Sequence, residues 1–429
     1  MTAVNEQVVA RPEATKATRW VILIWLSMAM AGNYYFYDAI GPLQKLLQDQ
    51  LHFSQQQYGY IVSAYSLAPI FFVLIGGIII DRIGTRKALL LFGVICLLGS
   101  MLMAFLPTVP SMVAGRLVFG VGAESIIVAI TTAIAKWFKG KELSFALGVN
   151  LMFARGGTWL AQNSPTWASS AYSNWQKPLL IGVGFTALCA IAPLFYWVME
   201  SRAEKRGELG KAGEQDKIVF ADVKAFSASY WYLVALCVVF YSAIFPFDQF
   251  GINYFQDAKH ETLQHAGFVL SILTMFTMVG TPIVGLFSDK MGRRATIMIF
   301  GTLLITPAFA LMAYSNTSLV VPMGMLGIAF TLVPAIIWPS VAYIVPERTL
   351  GTALGLMTMI QNIGMWAVPL MLGFANDRMH ASATNPHGYM GMMRILITLG
   401  LAGIVFAILL RKRETGPHGH GLETITAGK

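Results

Sequence analysis

The chain has 429 residues, of which 56% are hydrophobic and only 12% charged, about half the charge of a soluble globular domain. Its charges avoid a series of long apolar stretches of about 20 residues, the length that crosses a hydrocarbon layer. This excludes a soluble enzyme, a nucleic-acid-binding protein and a disordered scaffold. The net charge of +9 is then the mark of Lys and Arg loaded into loops on one membrane face.

In chain order, a polar tail at 1–19 precedes a full-length apolar stretch, without a short hydrophobic region and cleavage site. The first span is therefore expected to stay in the protein. Spans are predicted at 20–41, 58–80, 88–106, 110–135, 143–165 and 178–199, then at 229–252, 263–287, 294–313, 318–345, 351–374 and 392–411. The expected fold class is an all-α membrane protein with twelve transmembrane helices in two pseudo-symmetric six-helix bundles, 20–199 and 229–411. A hydrophilic linker at 200–228 joins them, and a tail at 412–429 follows. Ser54 and Gln57 form a capping box ahead of the second span. Pro246, Pro334 and Pro339 mark kinked helices packed against protein.

With both termini in the cytoplasm, the inner side holds 23 of the 30 basic residues. Four lie outside (Lys45, Lys177, Lys259, Arg378) and three within spans (Arg116, Arg155, Arg394). A multi-pass protein of the cell membrane is expected, with lipid as its surroundings and a monomer as its working unit. Cys96, Cys189 and Cys237 fall inside spans and read as packing residues. All seven histidines lie in loops or tails; His418 and His420 sit in a Gly-rich tail read as disordered. No metal site and no cofactor are expected.

The two halves echo each other. Gly77-Ile-Ile-Ile-Asp81-Arg82-Ile-Gly84-Thr-Arg86-Lys87 follows the second span, and Gly285-Leu-Phe-Ser-Asp289-Lys290-Met-Gly292-Arg293-Arg294 follows the eighth, 208 residues later. Ala146-Leu147-Gly148 with Gly157 returns as Ala353-Leu354-Gly355 with Gly364. Paired halves are the architecture of an alternating-access carrier. In the two loops, the acid can meet backbone donors or basic groups at a neighbouring helix end when that side closes. Asp81, Arg82, Arg86, Asp289, Arg293 and Arg294 are accordingly gating candidates, and Arg116 near a membrane edge is a structural or gating one.

The doubled loop motif, together with Arg116-Leu-Val-Phe-Gly120-Val-Gly122, resembles the major facilitator superfamily over almost the whole chain. Thr85 departs from the loop pattern, where the family usually has a basic residue. A narrower resemblance is to the lysosomal dipeptide transporter branch. It is carried by Asn33-Tyr34-Tyr35-Phe36-Tyr37-Asp38, Gly122-Ala-Glu124-Ser125, Trp137-Phe-Lys139-Gly140-Lys141-Glu142-Leu143 and Ala154-Arg155-Gly156. Phe245-Pro246, Trp338-Pro339, Val345-Pro346-Glu347 and Gln361-Asn362-Ile363-Gly364 extend it. The resemblance implies uniport of dipeptides, with Glu124 and Arg155 holding the two ends of the ligand. No lysosomal sorting signal is evident in the short amino-terminal tail, and an accessory subunit is not implied by the residues.

Ionisable groups inside a span face a cavity or each other. Glu124 and Arg155, on neighbouring antiparallel spans, reach similar depth. Glu124 suits an ammonium group and Arg155 a carboxylate, or the two form a salt bridge between helices. Tyr34 and Tyr37 share a helix face with Asp38 beside them, a candidate ligand wall. Asn362 holds the repeat position of Arg155 and can bond a peptide group or a neighbouring helix. Trp338 is a pocket or packing residue. Asp248 reads as a wetted helix end, and proton coupling through Glu124, Asp38 or Asp248 stays open. A carrier of another organic anion or amino-acid-like solute is the alternative to the dipeptide. No nucleophile–base cluster accompanies the buried charges, so an enzyme is not expected.

Overall fold

The computed structural model describes residues 15–138, 142–206 and 226–426. The side chains of Val73, Leu74, Pro282, Leu286 and Asp289 lie outside that description. Long apolar runs with few charges make helices, because in a membrane only a continuous helix satisfies its own backbone polar groups. Fifteen are present among the described residues. The first eight are α1 (Lys16–Asp38), α2 (Gln44–Leu51), α3 (Gln55–Ile83), α4 (Thr85–Phe105), α5 (Val109–Phe138), α6 (Leu143–Gln162), the one-turn α7 (Ser164–Trp167) and α8 (Gln176–Lys205). They are followed by α9 (Ala228–Lys259), α10 (Leu263–Met291), α11 (Arg294–Leu303), α12 (Ile305–Tyr314), α13 (Val320–Ile344), α14 (Leu350–Arg378) and α15 (Met390–Glu414).

Nine helices are long and apolar enough to cross a membrane, or ten with the bent α3 counted as one span, among the described residues. The chain is thus an all-α multi-pass membrane protein. The helices α1 and α6 fall outside that set. Both carry an unusual polar load on buried faces: Ser27, Asn33 and Asp38 in α1, Asn150, Thr158 and Gln162 in α6. Asn150 donates to Ser27 Oγ at 3.1 Å, so part of this load glues α1 to α6. The predicted span at 294–313 is divided into α11 and α12. Pro307 has no N–H to give the carbonyl of Leu303, and the helix steps at that turn.

Packing sorts the helices into two groups. One has α4 against α5 and α8, α1 against α6 and α8, and α3 against α5; the other has α10 against α13, α9 against α14 and α15, and α11 against α13 and α15. The groups meet where α3 packs on α14 and α6 on α10. Close approach there depends on glycine. A Cβ on Gly59 would lie 2.7 Å from the Pro369 carbonyl oxygen, and one on Gly267 only 2.2 Å from that of Gln162.

At the end where α1 stops and α3 starts, polar bonds tie the groups together. The capping box of α3 is formed as the sequence requires, Ser54 and Gln57 bonding reciprocally. The two next free N–H groups, those of Gln55 and Gln56, donate to the Asp377 carboxylate at 2.9 and 2.8 Å. Asp377 sits in the last turn of α14, where its own helix dipole disfavours it, and the N-terminus of α3 supplies the compensation. Lys45 pairs with Asp257, whose other oxygen accepts from Tyr389 at 2.7 Å. Gln55 and Asn253 both donate to the same Tyr389 hydroxyl. At the opposite end, ion pairs between described residues stay within one group, as in Lys136–Glu200 and Arg86–Glu204, both at 2.7 Å.

The carboxyl-terminal segment differs from the expectation of disorder. Residues 415–426 fold back onto the start of α11: Arg294 N–H donates to Leu422 O at 2.8 Å, and Glu423 accepts from both the N–H and the hydroxyl of Thr296 at 2.7 Å. Leu422 is fully buried. Glu414 accepts from the His420 N–H at 2.7 Å and lies 2.9 Å from its ring nitrogen. A buried leucine and paired charges hold what composition marks as a free tail.

Candidate functional site

Between the two groups lies a cavity lined by Tyr34 and Asp38 of α1, Arg155 and Thr158 of α6, Ile244, Phe245 and Asp248 of α9, Leu273 and Thr274 of α10, and Phe330 of α13. Spacings of three and four residues put the contributions of α1, α6 and α9 each on one face. Both halves contribute, as a site that changes access requires.

Arg155 forms no ion pair with any carboxylate among the described residues. Its guanidinium lies 5.3 Å from the Phe330 ring centre and 5.9 Å from that of Tyr34. Aromatic faces attract a cation without satisfying its N–H groups. The salt bridge to Glu124 is not formed. Glu124 instead accepts a 2.7 Å hydrogen bond from the Tyr65 hydroxyl of α3. Tyr34 lies in the field of both charges.

An aromatic wall continues from this point. Tyr37 meets Tyr65 at 4.5 Å and Phe245 at 6.5 Å, Phe245 stacks on Tyr241 at 5.5 Å, and Phe330 closes on both. Trp338 does not line the cavity; it donates to the Tyr241 hydroxyl at 2.8 Å, backing the wall from behind. Asn362 gives its amide N–H to its own helix, at the Thr358 carbonyl 3.0 Å away.

Of the predicted ligand residues, Tyr34, Asp38 and Arg155 thus line the cavity, Glu124 and Tyr37 stand beside it, and Trp338 and Asn362 lie further out. Sequence reasoning missed Phe330, Thr158, Gln162 and Thr274. It placed Asp248 at a wetted helix end, whereas α9 runs on to Lys259 and Asp248 is buried well inside it. The extension is explained by Ile252, Asn253, Tyr254 and Phe255, all buried against neighbouring helices. Gln162 bridges the halves: it donates to Asp248 at 2.8 Å and accepts from Thr274 at 2.9 Å.

The gating candidates fall in different places. Asp81 and Arg82 are exposed at the end of α3. Arg86 bonds Glu204 and Ser201 and lies over Trp197, tying α4 to α8. Arg293 is exposed in a left-handed turn with φ 43°. Arg294 is buried, bonds the tail and donates to the Tyr343 hydroxyl at 2.9 Å. The Asp289 side chain and the stretch Lys139–Lys141 lie outside the described residues. Arg116 is fully buried, and its guanidinium donates to the carbonyls of Tyr37 at 2.8 Å and Phe36 at 3.4 Å. A cation there satisfies the free carbonyls and dipole of the C-terminus of α1.

The Major Facilitator Superfamily profile matches residues 26–369. The lysosomal dipeptide transporter MFSD1 of Danio rerio is 30% identical over 374 residues, 84% of this chain and 81% of that protein. The protein of the same name from Homo sapiens is 28% identical over 418 residues, covering 93% and 88%. Among solved structures, a bacterial homologue of the human lysosomal transporter Spinster, inward-facing and unoccupied, superposes with a TM-score of 0.75 over 97% of this chain and 100% of that one. At 14% identity, that likeness shows the fold alone.

Proposed function

Because the chain belongs to the major facilitator superfamily and stands close to its lysosomal dipeptide transporter branch, we propose that it is an alternating-access uniporter of small zwitterions, dipeptides foremost. The chain is a secondary transporter, not an enzyme. The observation that supports the substrate is the Arg155 guanidinium, held at the cavity wall by aromatic rings without an ion pair to a carboxylate among the described residues.

A buried charge demands compensation, and a ligand carboxylate supplies it through the planar fork of the guanidinium. Glu124 receives the ammonium group. Tyr65 orients it with a single hydrogen bond, which leaves acceptor capacity for a ligand. Phe245 and Phe330 shape the space that accommodates variable side chains, with Tyr37 and Trp338 behind them and Asn362 on its own helix. An organic anion would need Arg155 and leave Glu124 without use.

Twelve spans complete the reading, with α11 and α12 as one span and the polar α1 and α6 added to the apolar helices. The bundles are 20–199 and 229–411, both termini cytoplasmic, in a cell membrane, with the protein acting as a monomer. The clasp at the α1–α3 end is then the closed outer gate and the conformation inward-facing. Asp81, Asp289 and their basic neighbours act at the inner gate. The test is binding of a dipeptide, its amino-acetylated form and its carboxyl-amidated form to purified protein. The two-ended clamp predicts that each blocked form binds at least tenfold more weakly; equal binding of all three overturns it.

A further inference from the structure

The folded-back segment 415–426 caps α11, which its own preceding residues leave uncapped. Arg293 enters the helix from a left-handed turn and makes no side-chain cap bond. Glu423 takes that place: one oxygen accepts the N–H of Thr296, the third residue of the helix, and the other accepts from its hydroxyl. The Thr296 hydroxyl in turn accepts from Arg411 of α15 at 2.9 Å. Arg294 gives its backbone N–H to the Leu422 carbonyl and a guanidinium N–H to that of Ile425 at 2.7 Å, and lies 4.3 Å from the Tyr343 ring centre. The segment also covers the loop before α11. A Cβ on Gly292 would come within 3.3 Å of the Ile425 carbonyl oxygen and the Thr426 methyl.

The first half solves the same problem within one helix. Arg86, the repeat counterpart of Arg294, is held by Glu204 and Ser201 in the last turns of α8. The counterpart of Glu204 is Lys412, between Arg411 and Arg413 at the end of α15. That helix end brings no acid, and a separate segment brings Glu423 instead. Helices α6 and α10 pack together and are tight where Gln162 meets Gly267. The start of α6 and the end of α10 therefore lie at the end away from the clasp. Glu142 stands exposed at the start of α6, 3.6 Å from the exposed Lys16. We propose that the carboxyl-terminal segment is a strap that keeps this end open. Docked, Glu423 and the segment's carbonyls offset the positive start of α11 and occupy Arg294. Undocked, that start and Arg294 attract Glu142 across the opening, and the end closes. The hydrogen bonds of 415–426 to described residues all stay within the second half, so the strap leaves without breaking a bond between the halves. The inference rests on the alternating-access reading but not on the identity of the substrate.

The test uses ligand-free protein in liposomes, with spin labels at the exposed positions 174 and 384 at the clasp, or at 83 and 348 at the far ends of α3 and α14. Glu423→Ala, and separately a chain ended after Glu414, should shorten the 83–348 distance and lengthen the 174–384 distance. The open-to-closed ratio at the clasp should rise by roughly tenfold. Glu423→Asp, which keeps the charge, should shift the ratio less. Combined with Glu142→Gln, loss of the strap should leave it nearly unchanged. The clasp labels lie at the opposite end from the strap, so a purely local role for the segment would not move them. Unchanged distances in both strap variants overturn the proposal, as does a shift toward a tighter clasp. So does a full shift in the Glu142→Gln background. Asp377→Ala is the control, since it should open the clasp whether or not the strap acts. A clasp that stays shut in that variant too refutes the alternating-access reading, and the strap with it.

Discussion

Asp377 offers a direct probe of the closed gate. Its two oxygens accept the N–H groups of Gln55 and Gln56 at 2.9 and 2.8 Å, so one side chain carries two charge-assisted bonds between the halves. In Asp377→Ala both N–H groups lose their acceptor in the closed state, but find water once the gate opens. Hydrogen bonds to a charged group contribute about 1.5–3 kcal/mol each. This carboxylate is only partly buried, so roughly 2–3 kcal/mol for the pair is the expected loss. At about 1.4 kcal/mol per factor of ten, the closed-to-open ratio should fall by about 30- to 150-fold. Asp377→Asn keeps one acceptor oxygen and should lose about half of that energy. Distance distributions between labels at positions 174 and 384 give the ratio. An unchanged distribution in Asp377→Ala would refute the clasp.

Four further outcomes are expected. Arg155→Lys keeps the charge but not the fork, and dipeptide affinity should drop by about 1–3 kcal/mol, read by titration calorimetry. Tyr65→Phe removes the single hydrogen bond that orients Glu124 and should weaken binding of the parent dipeptide while leaving that of its amino-acetylated form unchanged; equal losses for the two ligands would contradict an ammonium site at Glu124. Ending the chain after Glu414 should lower the thermal midpoint and expose Thr296 and Arg294 to hydrogen exchange, because the docked tail is lost. In the intact chain, burial pushes the Glu414 carboxyl up, but the nearby Ser229 hydroxyl and the hydrogen bonds from His420 together hold it below the ordinary glutamate range. A lowered value contributes stability above the unfolded pKa of about 4.3 and loses it as pH falls through the folded value. Tail docking should therefore persist through neutral and mildly acidic pH and give way only in stronger acid, as hydrogen exchange at Leu422 would report.

Most helices were legible in the sequence because apolar length alone decides them, and the capping box at Ser54 and Gln57 because it is local. The break at Leu303–Leu304 was also written locally, in Pro307. What was hidden depends on partners far away in sequence. Asp248 resembled a helix end until buried residues from Ile252 to Phe255 lengthened α9. Asp377 gave no local signal, since its partners are backbone N–H groups 321 and 322 residues earlier. The tail was misread because composition measures what a segment is made of, not the groove formed by Arg294, Thr296 and Glu414 that receives it. Arg155 stood out because a charge within a span is rare, but only the fold shows its rings and that no carboxylate among the described residues pairs with it.

The central claim, a carrier that holds a zwitterion between Glu124 and Arg155, is tested most directly by counterflow. Liposomes containing the protein are loaded with unlabelled dipeptide and given a trace of the labelled form outside, with equal pH on both sides. The labelled dipeptide should accumulate transiently in the unsubstituted protein, and Glu124→Gln or Arg155→Lys should abolish the overshoot. Blocking either terminus of the loaded dipeptide should abolish it as well. Full counterflow by the doubly blocked peptide, or by both variants, would contradict the account.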